Sequence, residues 1–170
     1  MSKIGFIAVL AALCVPAVVV TQTPAAQSKS QTYVWFAQLV SVDQGARTIT
    51  LEARADQRVF RYIDQFKPGD RVMLTWTVAR SGEAGPVLHV ARDEEAKTAR
   101  LDYGHILPVE LVSSNPTART LTVKAQVPAG TLESLKAIQP GGWVRVTSPL
   151  QQPPDTDVIV TLDRSEPPPP

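Results

Sequence analysis

Residues 39–51, LVSVDQGARTITL, return at residues 111–123 as LVSSNPTARTLTV. The offset is 72 positions, and it holds without a gap from Val34–Arg92 to Ile106–Arg164. It carries Lys67-Pro68-Gly69-Asp70-Arg71-Val72 onto Gln139-Pro140-Gly141-Gly142-Trp143-Val144, and Val87-Leu88-His89-Val90 onto Ile159-Val160-Thr161-Leu162. Where the copies differ at positions expected inside, one apolar residue replaces another: Ile49/Leu121, Leu51/Val123, Leu74/Val146, Val90/Leu162. Solenoid repeats have periods of roughly 20–50 residues and need neighbours to bury a core. A longer unit can close a core of its own, so the pattern reads as duplication of a small domain.

The periodicity within each copy is that of strands. Ile49 and Leu51 alternate with Thr48, Thr50 and Glu52, which gives one buried and one wet face. Five strands are expected in the first copy: 33–42, 47–53, 58–63, 71–78 and 86–92. Trp76 takes the inward phase of the fourth. Asp43-Gln44-Gly45-Ala46 and Asn115-Pro116-Thr117-Ala118 are hairpin turns, and Pro68-Gly69-Asp70 is a tight turn that launches the fourth strand. In the second copy, residues 131–138 read instead as a short helix with Leu135 and Ile138 over the end of the sheet. The expected fold is all-β: two tandem five-stranded small β-barrels, OB-like or SH3-like, after an N-terminal apolar helix. Closure would hide the sheet edges.

The domain plan follows. Residues 1–26 are a signal peptide or membrane anchor, 33–92 the first barrel, 93–104 a charged linker, 105–164 the second barrel and 165–170 a proline tail. Ile4–Val20 carries no charge and follows Lys3, the layout of a secretory leader, and Thr23-Pro24-Ala25-Ala26 offers small residues for cleavage. The same 17 residues sit at the short end of what spans a bilayer. Under either reading the positive start stays cytoplasmic and the rest is periplasmic, secreted or anchored to the inner membrane. The only cysteine, Cys14, lies in this segment behind Leu13, a poor context for lipid attachment, so no disulfide or thiolate chemistry is expected beyond it. Seventeen Lys and Arg against sixteen Asp and Glu leave no basic excess, which argues against nucleic acid as a partner.

The hairpin Val40 to Leu51, followed by Lys67-Pro68-Gly69-Asp70-Arg71-Val72, resembles the small barrel domains common in exported bacterial proteins. In layout it is also similar to the periplasmic copper/silver chaperone of the Cus efflux system, a five-stranded OB-like barrel. That resemblance implies a metal held by a His and two Met under a Trp, around the second and third strands. The matching stretches, 53–60 and 125–132, contain none of these residues, so the metal function does not transfer.

No nucleotide-binding, serine-hydrolase or zinc-protease motif occurs. His89 is expected to point outward, and His105 lies beside Asp102 and Tyr103 without strand geometry for a relay. Asp93-Glu94-Glu95 is a solvated run in the linker. The chain is therefore read as no enzyme, with no cofactor, metal or catalytic residue. Trp143, Trp35 and Arg71 are the candidate partner contacts, because aromatics and Arg dominate interface hot spots. Trp143 also fits the seam between copies. The expected function is a non-enzymatic periplasmic binding or scaffold protein, an accessory subunit of a membrane-associated complex, with an electron-transport or photosynthetic assembly as one home it could have. The alternative is a periplasmic metal or small-ligand carrier. The tail, with four closing prolines, is read as solvated in preference to a docking peptide.

Strand phase gives a direct test. Leu39→Ala and Leu111→Ala should each cost about 2–5 kcal/mol in urea denaturation, and Thr50→Ala little. Equal small effects at all three positions would contradict the assigned faces.

Overall fold

The computed structural model describes residues 32–78, 83–92, 105–149, 159 and 161–168. The apolar segment 1–26 and the linker 93–104 lie outside the described residues. Eight strands follow in order: β1 (Thr32–Asp43), β2 (Thr48–Arg54), β3 (Arg71–Val78), β4 (Ala84–Arg92), β5 (His105–Asn115), β6 (Thr120–Gln126), β7 (Trp143–Pro149) and β8 (Thr161–Arg164). One α-helix, α1 (Ala129–Leu135), and two 3-10 turns, Val59–Arg61 and Ile63–Gln65, complete the described elements.

The fold is all-β, but the copies are not separate. All eight strands form one antiparallel sheet in the order β4-β3-β5-β6-β2-β1-β7-β8. Hairpins β1–β2 and β3–β4 belong to the first copy, β5–β6 and β7–β8 to the second. The three remaining ladders, β1–β7, β2–β6 and β3–β5, all join one copy to the other. Two self-contained tandem barrels are thus replaced by an exchanged pair. Each copy supplies four described strands rather than five.

The exchange follows an approximate two-fold axis through the β2–β6 ladder. Leu51 lies opposite Val123, its own equivalent in the other copy. On either side a large residue meets a small one: Ile49 faces Ala125, and Ala53 faces Leu121. The outer ladders obey the same symmetry. Trp35 pairs with Val146 as Leu107 pairs with Leu74, and Ala37 pairs with Val144 as Val109 pairs with Val72. Both copies break register after the same residue, Leu39 or Leu111, where a bulge leaves Val40 40% exposed.

At these bulges each copy grips the other. The Leu39 N–H donates to the Gly142 carbonyl at 2.9 Å, and the Leu39 carbonyl accepts from the Gly141 N–H at 2.7 Å. Leu111 makes the equivalent bonds with Asp70 and Gly69, at 2.9 and 2.8 Å. Gly69 (φ +92°) and Gly141 (φ +85°) hold the left-handed conformation that aims these groups, which suits a residue without Cβ.

The interior is mainly one hydrophobic cluster drawn from both copies, with Met73 and Ala91 forming a small separate one. Leu39, Ile49, Leu51 and Trp76 are buried where their strand phases put them, as is Leu111. Thr48, expected on the wet face, is buried as well. Trp76 packs against Trp35 at 5.2 Å and Tyr33 at 6.0 Å between ring centroids, joining β3 to β1 across the curled sheet. Such contacts add about 0.5–1.5 kcal/mol each beyond area burial. Parallel bridges Val34–Glu83 and Ala55–Val87 bring β4 back towards β1 and β2.

The third strand expected at 58–63 is instead the pair of 3-10 turns. Asp56 Oδ1 accepts the Arg58 N–H at 2.9 Å, and the Asp56 carbonyl accepts that of Val59 at 3.0 Å, so the chain tightens where a strand would extend. Val59 and Ile63 point into the core. The helix expected at 131–138 is present as α1, with Leu132 and Leu135 buried and Ile138 buried just beyond it.

Two measurements check the shared core. Polypeptides 27–92 and 105–170 should each lack cooperative unfolding alone and regain the near-ultraviolet tryptophan signal of the whole chain when mixed; a monomeric, cooperatively folding half would contradict the exchange. The second concerns Tyr33, whose phenol lies wholly inside. Burial pushes its pKa far above the ordinary value, and the contact with Ser148 opposes this weakly. The unfolded chain ionises near pH 10 and the folded one does not, so Tyr33 leaves stability intact below about pH 10 and erodes it above. Stability should fall by up to about 1.4 kcal/mol per pH unit from this group above pH 10. Tyr33→Phe should flatten the fall without abolishing it, since burial also raises Tyr62.

Candidate anion-binding site

Four arginines converge on one end of the β2–β6 seam. Arg54 closes β2 on its exposed face. Arg58 caps the first 3-10 turn and Arg61 ends it, and in such a turn residues three apart eclipse one another and so share a side. Arg119 comes from the other copy, at the end of the β5–β6 hairpin, where its carbonyl accepts the Ala55 N–H at 2.9 Å. Together with Asp56, Gln57, Pro86, Ala55 and Ala118 they line a groove of about 640 Å³.

Within the groove Asp56 is the single acid. It pairs with Arg58 at 3.4 Å, an exposed contact of small energetic weight. Arg54 lies over the ring of Trp143, with its guanidinium carbon 5.8 Å from the centroid. Among the described residues, Arg61 and Arg119 have no ion-pair partner. The positive charge therefore exceeds what the groove itself neutralises. Guanidinium groups stay protonated and present a planar fork of donors to carboxylate or phosphate. Such groups can hold and orient an anion but do not exchange protons with it at ordinary pH.

The groove continues into a smaller slot of about 260 Å³, lined by Phe36, Ala53, Arg54, Trp76, Ala84, Gly85, Pro86 and Pro168. Arg54 and Pro86 belong to both, so a cationic stretch passes directly into an apolar one.

The symmetry provides an internal control. The residues equivalent to Arg54, Arg58 and Arg61 are Gln126, Gly130 and Glu133. Glu133 is bonded to Lys136 at 2.6 Å. The same scaffold thus carries the arginine cluster on one side only.

The three candidate contacts part company. Trp35 is 1% exposed, its indole N–H donating to Ser148 Oγ at 3.2 Å; it is core, and the expectation that it meets a partner is corrected. Burial follows from its register opposite Val146 on the inward face of the exchanged ladder. Trp143 is half-buried on the β1–β7 ladder opposite Gln38 and under Arg54, at the seam between copies and beside the groove. Arg71 is exposed, opposite Glu110 on β5, near the Glu110–Lys124 pair at 2.6 Å, and remote from the arginine cluster. His89 is exposed against the Tyr62 ring. Strand phasing missed the groove because a strand over 58–63 puts Arg58 and Arg61 on opposite faces. The signal was present in Asp56 two residues before Arg58, and in the helix at the equivalent place of the second copy.

Among the described residues, no group of three or more His, Cys, Asp or Glu is placed to hold a metal, and no helix is long and apolar enough to cross a membrane. No family model, curated protein or solved structure matches the chain.

Proposed function

We propose that this chain is a non-enzymatic binding or scaffold protein, placed outside the cytoplasm by residues 1–26, that docks an anionic segment of a membrane-associated complex in the arginine groove. The observation that carries the reading is the one-sided cluster Arg54, Arg58, Arg61 and Arg119, set on a chain whose formal net charge is only +1. Scattered basic residues serve solubility. A convergent set from β2, a 3-10 turn and the other copy's hairpin makes a directional field, which steers a partner and fixes its register. The sheet and the 3-10 turn fix the four arginine backbones in advance, so ordering on binding is confined to the exposed side chains. The groove's chemistry favours capture over turnover, because every basic group in it is an arginine.

The test is affinity capture from detergent-extracted membranes with the native chain and with Arg54→Glu/Arg61→Glu. The native chain should retain a membrane complex that raised salt releases, and the charge-reversed chain should retain at least about tenfold less at equal thermal stability. Recovery of the bare monomer in both cases, or equal capture by both, would overturn the reading.

A further inference from the structure

We propose that the groove and slot together receive an extended, acidic, proline-bearing peptide of the partner, and that the chain's own C-terminal tail sits at the apolar end as a built-in competitor. The proposal rests on the preceding reading and names its ligand class.

The tail shows how such a peptide would lie. Leaving β8, the Ser165 N–H donates to the Trp143 carbonyl at 2.9 Å, which directs the chain past the ring that Arg54 covers. Three residues on, Pro168 is half-buried in the slot with Phe36, Trp76 and Pro86, while Glu166 and Pro167 stay exposed. Among the described tail residues, Pro168 is thus seated on the protein, while Glu166 and Pro167 keep the solvated character expected of the tail. Proline rings fix an extended left-handed helix of three residues per turn. Lacking N–H groups, a proline segment cannot extend a sheet edge; it binds by ring packing and through its carbonyls, in aromatic-lined grooves. Phe36 and Trp76 supply the aromatic wall, and Arg54 supplies donors at its rim.

The tail matches only half of the surface. It carries one carboxylate side chain, Glu166, which is exposed and does not line the groove of four arginines. A segment with several carboxylates beside its prolines would fill the apolar slot and the cationic groove at once. That complementarity distinguishes the partner's segment from the resident tail, and the tail's modest fit makes it displaceable. A tether holds the tail at an effective concentration on the order of millimolar. If seated about 70–90% of the time, it weakens the apparent affinity of an incoming peptide roughly three- to tenfold.

The experiment uses the full chain and a fluorescein-labelled peptide carrying glutamates ahead of a proline run, read by anisotropy at low salt. The native chain should bind it. Pro167→Ser/Pro168→Ser should bind roughly three- to tenfold tighter, since the tail is undocked. Arg54→Ser/Arg61→Ser should bind at least about tenfold more weakly, and control peptides with Gln for Glu or Ala for Pro should each lose affinity. Indifference to the prolines, or to undocking of the tail, would overturn the proposal. Failure of the peptide to bind any variant, while membrane capture still depends on Arg54 and Arg61, would overturn the peptide class and leave the anion-docking reading standing.

Discussion

Four backbone hydrogen bonds decide the architecture. Leu39 and Leu111 each give both main-chain groups to the Pro-Gly turn of the opposite copy. Buried backbone groups must be paired, and at these two leucines the partners lie in the other half of the chain. With those turns seated, β1 lies against β7 and β5 against β3, and β2 and β6 pair edge to edge along the two-fold axis. A sheet built this way has no internal boundary. Its main core is one cluster drawn from both copies.

The sequence shows this scaffold in part. Alternation marks β2 and β6, the turns at 43–46 and 115–118 are visible in Asp43 and Asn115, whose side-chain oxygens accept the Ala46 and Ala118 N–H groups, and the repeat itself fixes which residues are equivalent. What alternation cannot encode is which copy a strand pairs with. Val72 and Val144 are identical and Leu74 and Val146 nearly so, so β1 meets the same apolar face whether it pairs with β3 or with β7. The structure makes the choice through the backbone bonds of Leu39 and Leu111 to the opposite turns, which hydrophobic pattern does not record. The same limit hid the arginine groove. Its members come from residues 54, 58, 61 and 119, and only the exchanged topology places the last beside the first three.

Duplication within one chain also separates scaffold from site. The bulges after Leu39 and Leu111, the left-handed glycines and the large-against-small pairs at the axis occur in both copies and serve the sheet. Trp143 against Arg71, and Arg61 against Glu133, occur at equivalent places with different chemistry. A symmetric frame tolerates such divergence because the outward positions of its strands and turns contribute little to the common core. The aromatic slot and the cationic groove fall on the side where the first copy kept its arginines.

The same comparison assigns the backbone strain at Arg119, which lines the groove at φ +55°. A left-handed arginine costs on the order of 1 kcal/mol, and strain beside a candidate site invites a functional explanation. Arg47 holds φ +54° at the equivalent turn, away from the groove. Both carbonyls are spent alike, Arg47 accepting from Val127 and Arg119 from Ala55, each prolonging the β2–β6 ladder by one bond. The strain therefore belongs to the seam between the copies. The groove inherits an arginine whose backbone that ladder already holds in place, so a partner's anion has only the side chain left to order.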